Sequence, residues 1–124
     1  MAEQEPLTAL VAWEQPGAGA YKKMLNEIGY QVELAYTPEE AIGKLTNKPK
    51  QPFTICIVDA EMSGTFDSRI SHLKTMYNSF VETGGEKFVA LVTNNELLGK
   101  ISEEGIPCAR DYHLEFNIYD WLGV

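Results

Sequence analysis

Phe53-Thr54-Ile55-Cys56-Ile57-Val58-Asp59-Ala60-Glu61-Met62-Ser63-Gly64 decides how the rest of the chain is read. Phe53 to Val58 is apolar or β-branched almost throughout, with no polar alternation. A short run of that kind fits a strand buried on both faces, as in a parallel sheet. It stops abruptly at Asp59. The last residue of such a strand lies at the carboxyl edge of the sheet, where open α/β folds gather ligands and chemistry. Asp59 is therefore the first functional candidate, set against its plainer reading as a strand-end turn residue.

Working outward, Leu7 to Ala12 reads as a first buried strand, followed by Trp13-Glu14-Gln15. Pro16 suits the first turn of a helix, where its missing N–H costs little. Tyr21, Met24, Leu25 and Ile28 recur at helical spacing and Gly29 stops the run. Gln31 to Leu34 alternates as a half-exposed strand does. Thr37-Pro38-Glu39-Glu40 joins an N-cap, a first-turn Pro and a Glu at the third helical position, the capping-box pattern. Ala41, Ile42 and Leu45 are the inward residues of that helix, and Asn47 to Pro52 is a surface loop.

Beyond Asp59, Phe66, Ile70, Leu73, Tyr77 and Phe80 mark one face of a long helix, ended by the turn Thr83-Gly84-Gly85-Glu86. Phe88 to Val92 is a second buried strand that ends at Thr93. Asn94 or Asn95 caps a short helix carrying Leu97, Leu98 and Ile101, stopped at Gly105. Cys108 to Leu114 reads as a weak last strand, and Asn117 to Leu122 as a helix of about two turns. Strands alternate with helices and no internal repeat interrupts them, so residues 1–124 read as one domain with residues 1–6 flexible. The economical arrangement is a doubly wound, three-layer α/β sandwich of flavodoxin-like type: a five-stranded parallel sheet in the order 2-1-3-4-5. That order brings Trp13-Glu14 and Asp59 together at the topological switch point, with Thr93 on the other side of Asp59.

The chain has 124 residues, enough for a sizeable core, and a formal net charge of −8. Such a charge argues against non-specific nucleic-acid binding and against an anionic membrane surface. No run is long and apolar enough for a membrane-spanning helix, and the acidic start Met1 to Pro6 lacks the basic region of a secretory signal. Cys56 and Cys108 read as core thiols rather than a disulfide or metal pair, and neither His72 nor His113 shares a metal-ligand spacing with them. Gly17-Ala18-Gly19 is no dinucleotide loop, because Lys22 stands where the third glycine belongs. A cytoplasmic protein is the expectation.

A carboxylate pair beside a hydroxyl is a plausible seat for Mg²⁺ and a phosphoryl group, since Mg²⁺ takes hard oxygen ligands and an aspartate can accept a phosphoryl group. At this point the chain resembles the receiver domain of two-component response regulators. Leu10 to Pro16 is similar to the family's first strand with its acidic pair, and Ile57 to Gly64 to the segment carrying the phosphorylated aspartate. Val89 to Thr93 is similar to the strand ending in the family's Thr or Ser; Gly29-Tyr30 and Glu39-Glu40-Ala41 also fit. The resemblance implies Asp59 as phosphoacceptor and Thr93 as the phosphoryl-contacting switch residue. Glu14, Asp59 and the main-chain carbonyl of Glu61 become the implied metal ligands. It further implies a histidine kinase or other signalling protein as partner, with homodimerisation through the last helix–strand face a known habit of receivers.

The departures bear on function. The acidic pair is reduced to Trp13-Glu14; the indole of Trp13 ligates nothing and is bulky at the mouth of the pocket. Aligning Phe116 with the family's Phe puts Leu114 where the family has its Lys, and the neighbouring His113 points to the other strand face. The expectation is a pseudo-receiver. It is a non-enzymatic signalling module with a degenerate site that acts through protein–protein contacts, needs no cofactor and holds Mg²⁺ weakly. The alternatives are an unconventional receiver phosphorylated on Asp59 by a histidine kinase, and a flavodoxin-like small-ligand binder or enzyme. Plainer roles stand beside these: packing for Trp13, a solvated acid for Glu14, a helix cap for Thr93. The chain could also be cut from a longer regulator.

Overall fold

A computed structural model of the chain describes residues 7–13, 17–46, 53–61 and 65–110. The elements are β1 Leu7–Ala12, α1 Gly17–Glu27, β2 Tyr30–Ala35, α2 Pro38–Thr46, β3 Ile55–Asp59, α3 Phe66–Glu82, β4 Lys87–Val92, α4 Asn95–Glu103 and β5 Cys108–Arg110. The strands form one sheet in the order β2-β1-β3-β4-β5, and every neighbouring pair is parallel. The expected sheet and its order are thus what the chain adopts.

The pleat divides the apolar residues between two cores. Leu10, Ala12, Cys56, Val58, Phe88, Ala90 and Val92 face the side covered by α2, α3 and α4. Ala9, Val11, Ile55, Ile57, Val89 and Leu91 face the side covered by α1, where Tyr21 and Leu25 are buried. Burial on both faces is why β1, β3 and β4 carry continuous apolar runs. β2, at the sheet edge, alternates partly buried with exposed residues over most of its length.

Local chemistry sets the element ends. Thr37 Oγ1 accepts the Glu40 N–H at 3.1 Å, so the start of α2 is capped from the expected residue. Asn94 caps α4, its side chain accepting the Leu97 N–H at 3.0 Å. Gly29 and Gly105 follow α1 and α4 at φ +101° and +77°, the left-handed conformation that suits glycine. The start of α3 carries a cap not anticipated from the sequence. Thr65 Oγ1 accepts the Ser68 N–H at 3.2 Å, and the Thr65 N–H donates to Ser68 Oγ at 2.8 Å.

One expectation needs correcting. Phe66 lies on the exposed surface at 39 %, and Met76 takes a core position on α3 with Ile70, Leu73 and Phe80. Tyr77 is partly buried and meets Phe88 edge-on at 5.2 Å. The expected loop Asn47 to Pro52, the last helix Asn117 to Leu122 and the last strand beyond Arg110 lie outside the described residues. Cys56 and Cys108 are free thiols, the former wholly buried.

Candidate functional site

The site forms where three central strands end at the carboxyl edge. β1 runs into Trp13, whose N–H donates to the Ala35 carbonyl at 2.9 Å and so keeps the residue on the sheet ladder. β3 ends at Asp59, and the next residue, Ala60, donates its N–H to the Leu91 carbonyl at 3.0 Å. β4 ends at Val92 and delivers Thr93. Trp13 packs in the α1 core, and Asp59 and Thr93 follow Val58 and Val92, which face the other core. Trp13, Asp59 and Thr93 therefore stand at the carboxyl ends of β1, β3 and β4, where the two cores give way to the sheet edge.

Trp13 is nearly closed to solvent, with 7 % of its surface exposed. Its ring lies 5.3 Å from that of Tyr21 on α1, tilted by 44°. That is ordinary aromatic packing geometry. The residue that the sequence reading set against the first acid of a receiver's pair is thus a core side chain of the α1 layer. It offers no oxygen to a cation.

Asp59 is partly buried, and its Oδ1 accepts the Glu61 N–H at 2.9 Å. This is the Asx-type turn that a strand-end Asp favours. The turn carries Glu61 toward β4, the neighbouring strand, where Asp59 pairs with Leu91. Glu61 Oε1 there accepts two hydrogen bonds from one residue: the Thr93 N–H at 2.7 Å and the Thr93 hydroxyl at 2.6 Å. These are short, charge-assisted contacts. Asn94 caps α4, so the helix-cap role considered for Thr93 passes to its neighbour.

Behind Asp59, on the α2–α3 side, lies a cavity of about 10 Å³, room for roughly one water. Asp59 lines it together with Pro38, Arg69 and His72. His72 Nδ1 is buried without a hydrogen-bond partner, and its Nε2 lies 3.9 Å from Glu39 Oε1. Arg69 thus shares a cavity wall with Asp59 on the sheet face opposite Trp13.

The sequence reading brought Trp13, Asp59 and Thr93 to one edge, and the structure places them there. Glu14, Leu114 and His113 lie outside the described residues. The sequence reading gave Glu61 only a main-chain role and overlooked its carboxylate. The signal was present: in a 2-1-3-4-5 sheet, a long acid two residues past β3 can reach the end of β4. Arg69, in the first turn of α3, was also overlooked as a cation lining the cavity behind Asp59. Among the described residues no group of three or more His, Cys, Asp or Glu side chains is placed to hold a metal ion. The donors present are hard oxygens, which suit Mg²⁺ in kind. However, the Glu61 carboxylate is engaged with Thr93.

Solved structures with the same architecture include receiver domains. A CheY-like receiver domain from Methanospirillum hungatei JF-1 superposes with a TM-score of 0.69 at 18 % identity, over 96 % of this chain and 95 % of that one. The receiver domain of a sensor histidine kinase from Pseudomonas aeruginosa PAO1, with magnesium coordinated in its active-site cleft, gives 0.62 at 17 % identity, over 97 % and 100 %. A response regulator from Burkholderia pseudomallei, with a phosphorylated aspartic acid, calcium and citrate, gives 0.67 at 16 % identity and covers 87 % of this chain. The chain spans 64 % of that protein's length. No family model and no curated protein matches the sequence. The chain has the fold of CheY-like response-regulator receiver domains.

Proposed function

We propose that the protein is a receiver-type signalling module of the two-component kind whose phosphorylation site is degenerate, and that it acts by binding another protein. The observation that carries this is Trp13. The strand end that would present a metal-binding carboxylate instead presents an indole packed on Tyr21. Asp59 remains the acceptor residue of the reading and Thr93 its neighbouring hydroxyl. Glu14, Asp59 and the Glu61 main-chain carbonyl are the oxygens that would hold Mg²⁺, which would shield the charge of an incoming phosphoryl donor. With the acid at position 13 replaced, and Leu114 at the family's Lys position, that shielding is weakened. Losing one preorganised electrostatic partner costs roughly 100-fold or more in rate.

The role assigned is non-enzymatic and cytoplasmic. The partner is a histidine kinase or another signalling protein, engaged through the surface of the last strands and helices, with self-association through that face a second possibility. Nucleic acid and membrane are not its targets; the net charge of −8 disfavours both. Among the described residues no helix is long and apolar enough to cross a membrane. A working, unconventional receiver is the second reading, favoured by Asp59 and Thr93 standing on neighbouring strand ends.

Intact mass after incubation with acetyl phosphate and Mg²⁺ separates the two. In the reaction a carboxylate oxygen of Asp59 attacks phosphorus, the acetyl O–P bond breaks and acetate leaves. The folded parent should stay essentially unmodified over a time that labels an ordinary receiver completely. Full conversion to a mono-phosphoryl adduct, abolished by Asp59→Asn, would establish the second reading instead.

A further inference from the structure

We infer that Glu61 is a built-in anion that keeps the donors at the end of β4 from any anion arriving at Asp59. Both Thr93 donors converge on one Glu61 oxygen, at 2.7 Å from nitrogen and 2.6 Å from the hydroxyl. Each is at the short end of its range, as expected when the acceptor is charged. The Glu61 N–H is meanwhile held by Asp59 Oδ1 at 2.9 Å. The turn therefore fastens the end of β3 to the start of the β4–α4 connection, residue to residue, from Asp59 through Glu61 to Thr93.

Two consequences follow from charge alone. The Thr93 N–H and hydroxyl already have an anionic partner, so a second anion must displace a covalently tethered competitor. A phosphoryl group on Asp59 would also stand beside the Glu61 carboxylate, and like charges at that separation repel. Glu61 would have to swing out before Thr93 could turn to the newcomer. The β4–α4 connection is thus held by Glu61 in one arrangement until another anion displaces it. This deepens the signalling reading above and rests on it for the identity of the competing anion.

The test follows the Thr93 amide in the ¹⁵N-labelled full chain, in the parent, Glu61→Gln and Glu61→Ala. Hydrogen exchange at Thr93 should be at least about tenfold faster in Glu61→Ala than in the parent, with Glu61→Gln between them. Inorganic phosphate should move the Thr93 resonance in Glu61→Ala at concentrations that leave the parent unmoved. Equal exchange in all three proteins would overturn the inference. So would a phosphate response equal in parent and variant, or absent from both. Unchanged amides elsewhere in the sheet certify that the variants are folded, and Thr93→Ala, which keeps the acid but loses the hydroxyl, supplies an independent second variant. Its Glu61 side chain should lose a single fixed orientation. The exchange result stands apart from phosphorylation: a parent that readily accepts a phosphoryl group would refute the degenerate-site reading without altering what Thr93 exchange reports.

Discussion

Cys56, the second residue of β3, has none of its surface exposed. Burial alone pushes its thiol well above the usual cysteine range. The sign of the stability effect follows. In the unfolded chain the thiol ionises near about 8.5, while in the fold it stays protonated. Above that pH the unfolded state binds fewer protons than the native state, so stability falls as pH rises. Tyr30 adds to the fall at higher pH, because burial and then the charge of Glu86 raise its phenol. Urea midpoints of the parent should therefore drop between neutral and alkaline pH, and Cys56→Ala should drop less steeply. Equal slopes would show that the thiol does not titrate on unfolding. Gly85 is a second single-residue case. A Cβ there would run into the ring of Phe80. Gly85→Ala should cost about 1–3 kcal/mol in denaturant unfolding, the usual range for forcing extra volume into a packed site.

Among the elements, α3 shows what helical spacing can and cannot reveal. Ile70, Leu73 and Phe80 were legible, because the core side of a helix repeats with its turn. Phe66 was misread as inward because hydrophobicity says nothing about where a helix begins. It is the first residue of α3 and lies on the exposed surface. Met76 and Tyr77 are adjacent, and either satisfies the spacing; the phenol hydroxyl favours Tyr77 for the partly exposed place against Phe88. The Thr65–Ser68 cap was missed because Ser is not the Glu or Gln of the usual box. Thr65→Ala removes the acceptor of the Ser68 N–H. It should lower stability by about 1 kcal/mol and speed amide exchange in the first turn of α3 before the rest of the helix. Uniform loss of protection along α3 would argue against a local capping role.

For the whole molecule, the strand order was readable because apolar runs buried on two faces must lie inside a parallel sheet, and only a few orders connect them economically. Placing Trp13, Asp59 and Thr93 at one edge followed from that order. Strand order allowed Glu61 to reach the end of β4, but spacing did not show which partner its carboxylate takes there, nor that Arg69 lines the cavity behind Asp59. These contacts depend on the turn after β3 and on the first turn of α3, where no periodicity speaks. The central claim is that the architecture is intact while its phosphoryl chemistry is disabled by substitution, chiefly at Trp13. The most direct test restores the missing groups. Trp13→Asp combined with Leu114→Lys should be compared with the parent and with Trp13→Ala, which opens the same space without a carboxylate. Each is checked for folding and then incubated with acetyl phosphate and Mg²⁺. Removing the Trp13 ring should itself cost about 3–5 kcal/mol of stability, so the folding check comes first. The expected result is a phosphoryl adduct on Asp59 that forms at least roughly 100-fold faster in the double variant than in the parent or Trp13→Ala. A parent that forms the adduct as fast as a folded double variant would contradict the claim.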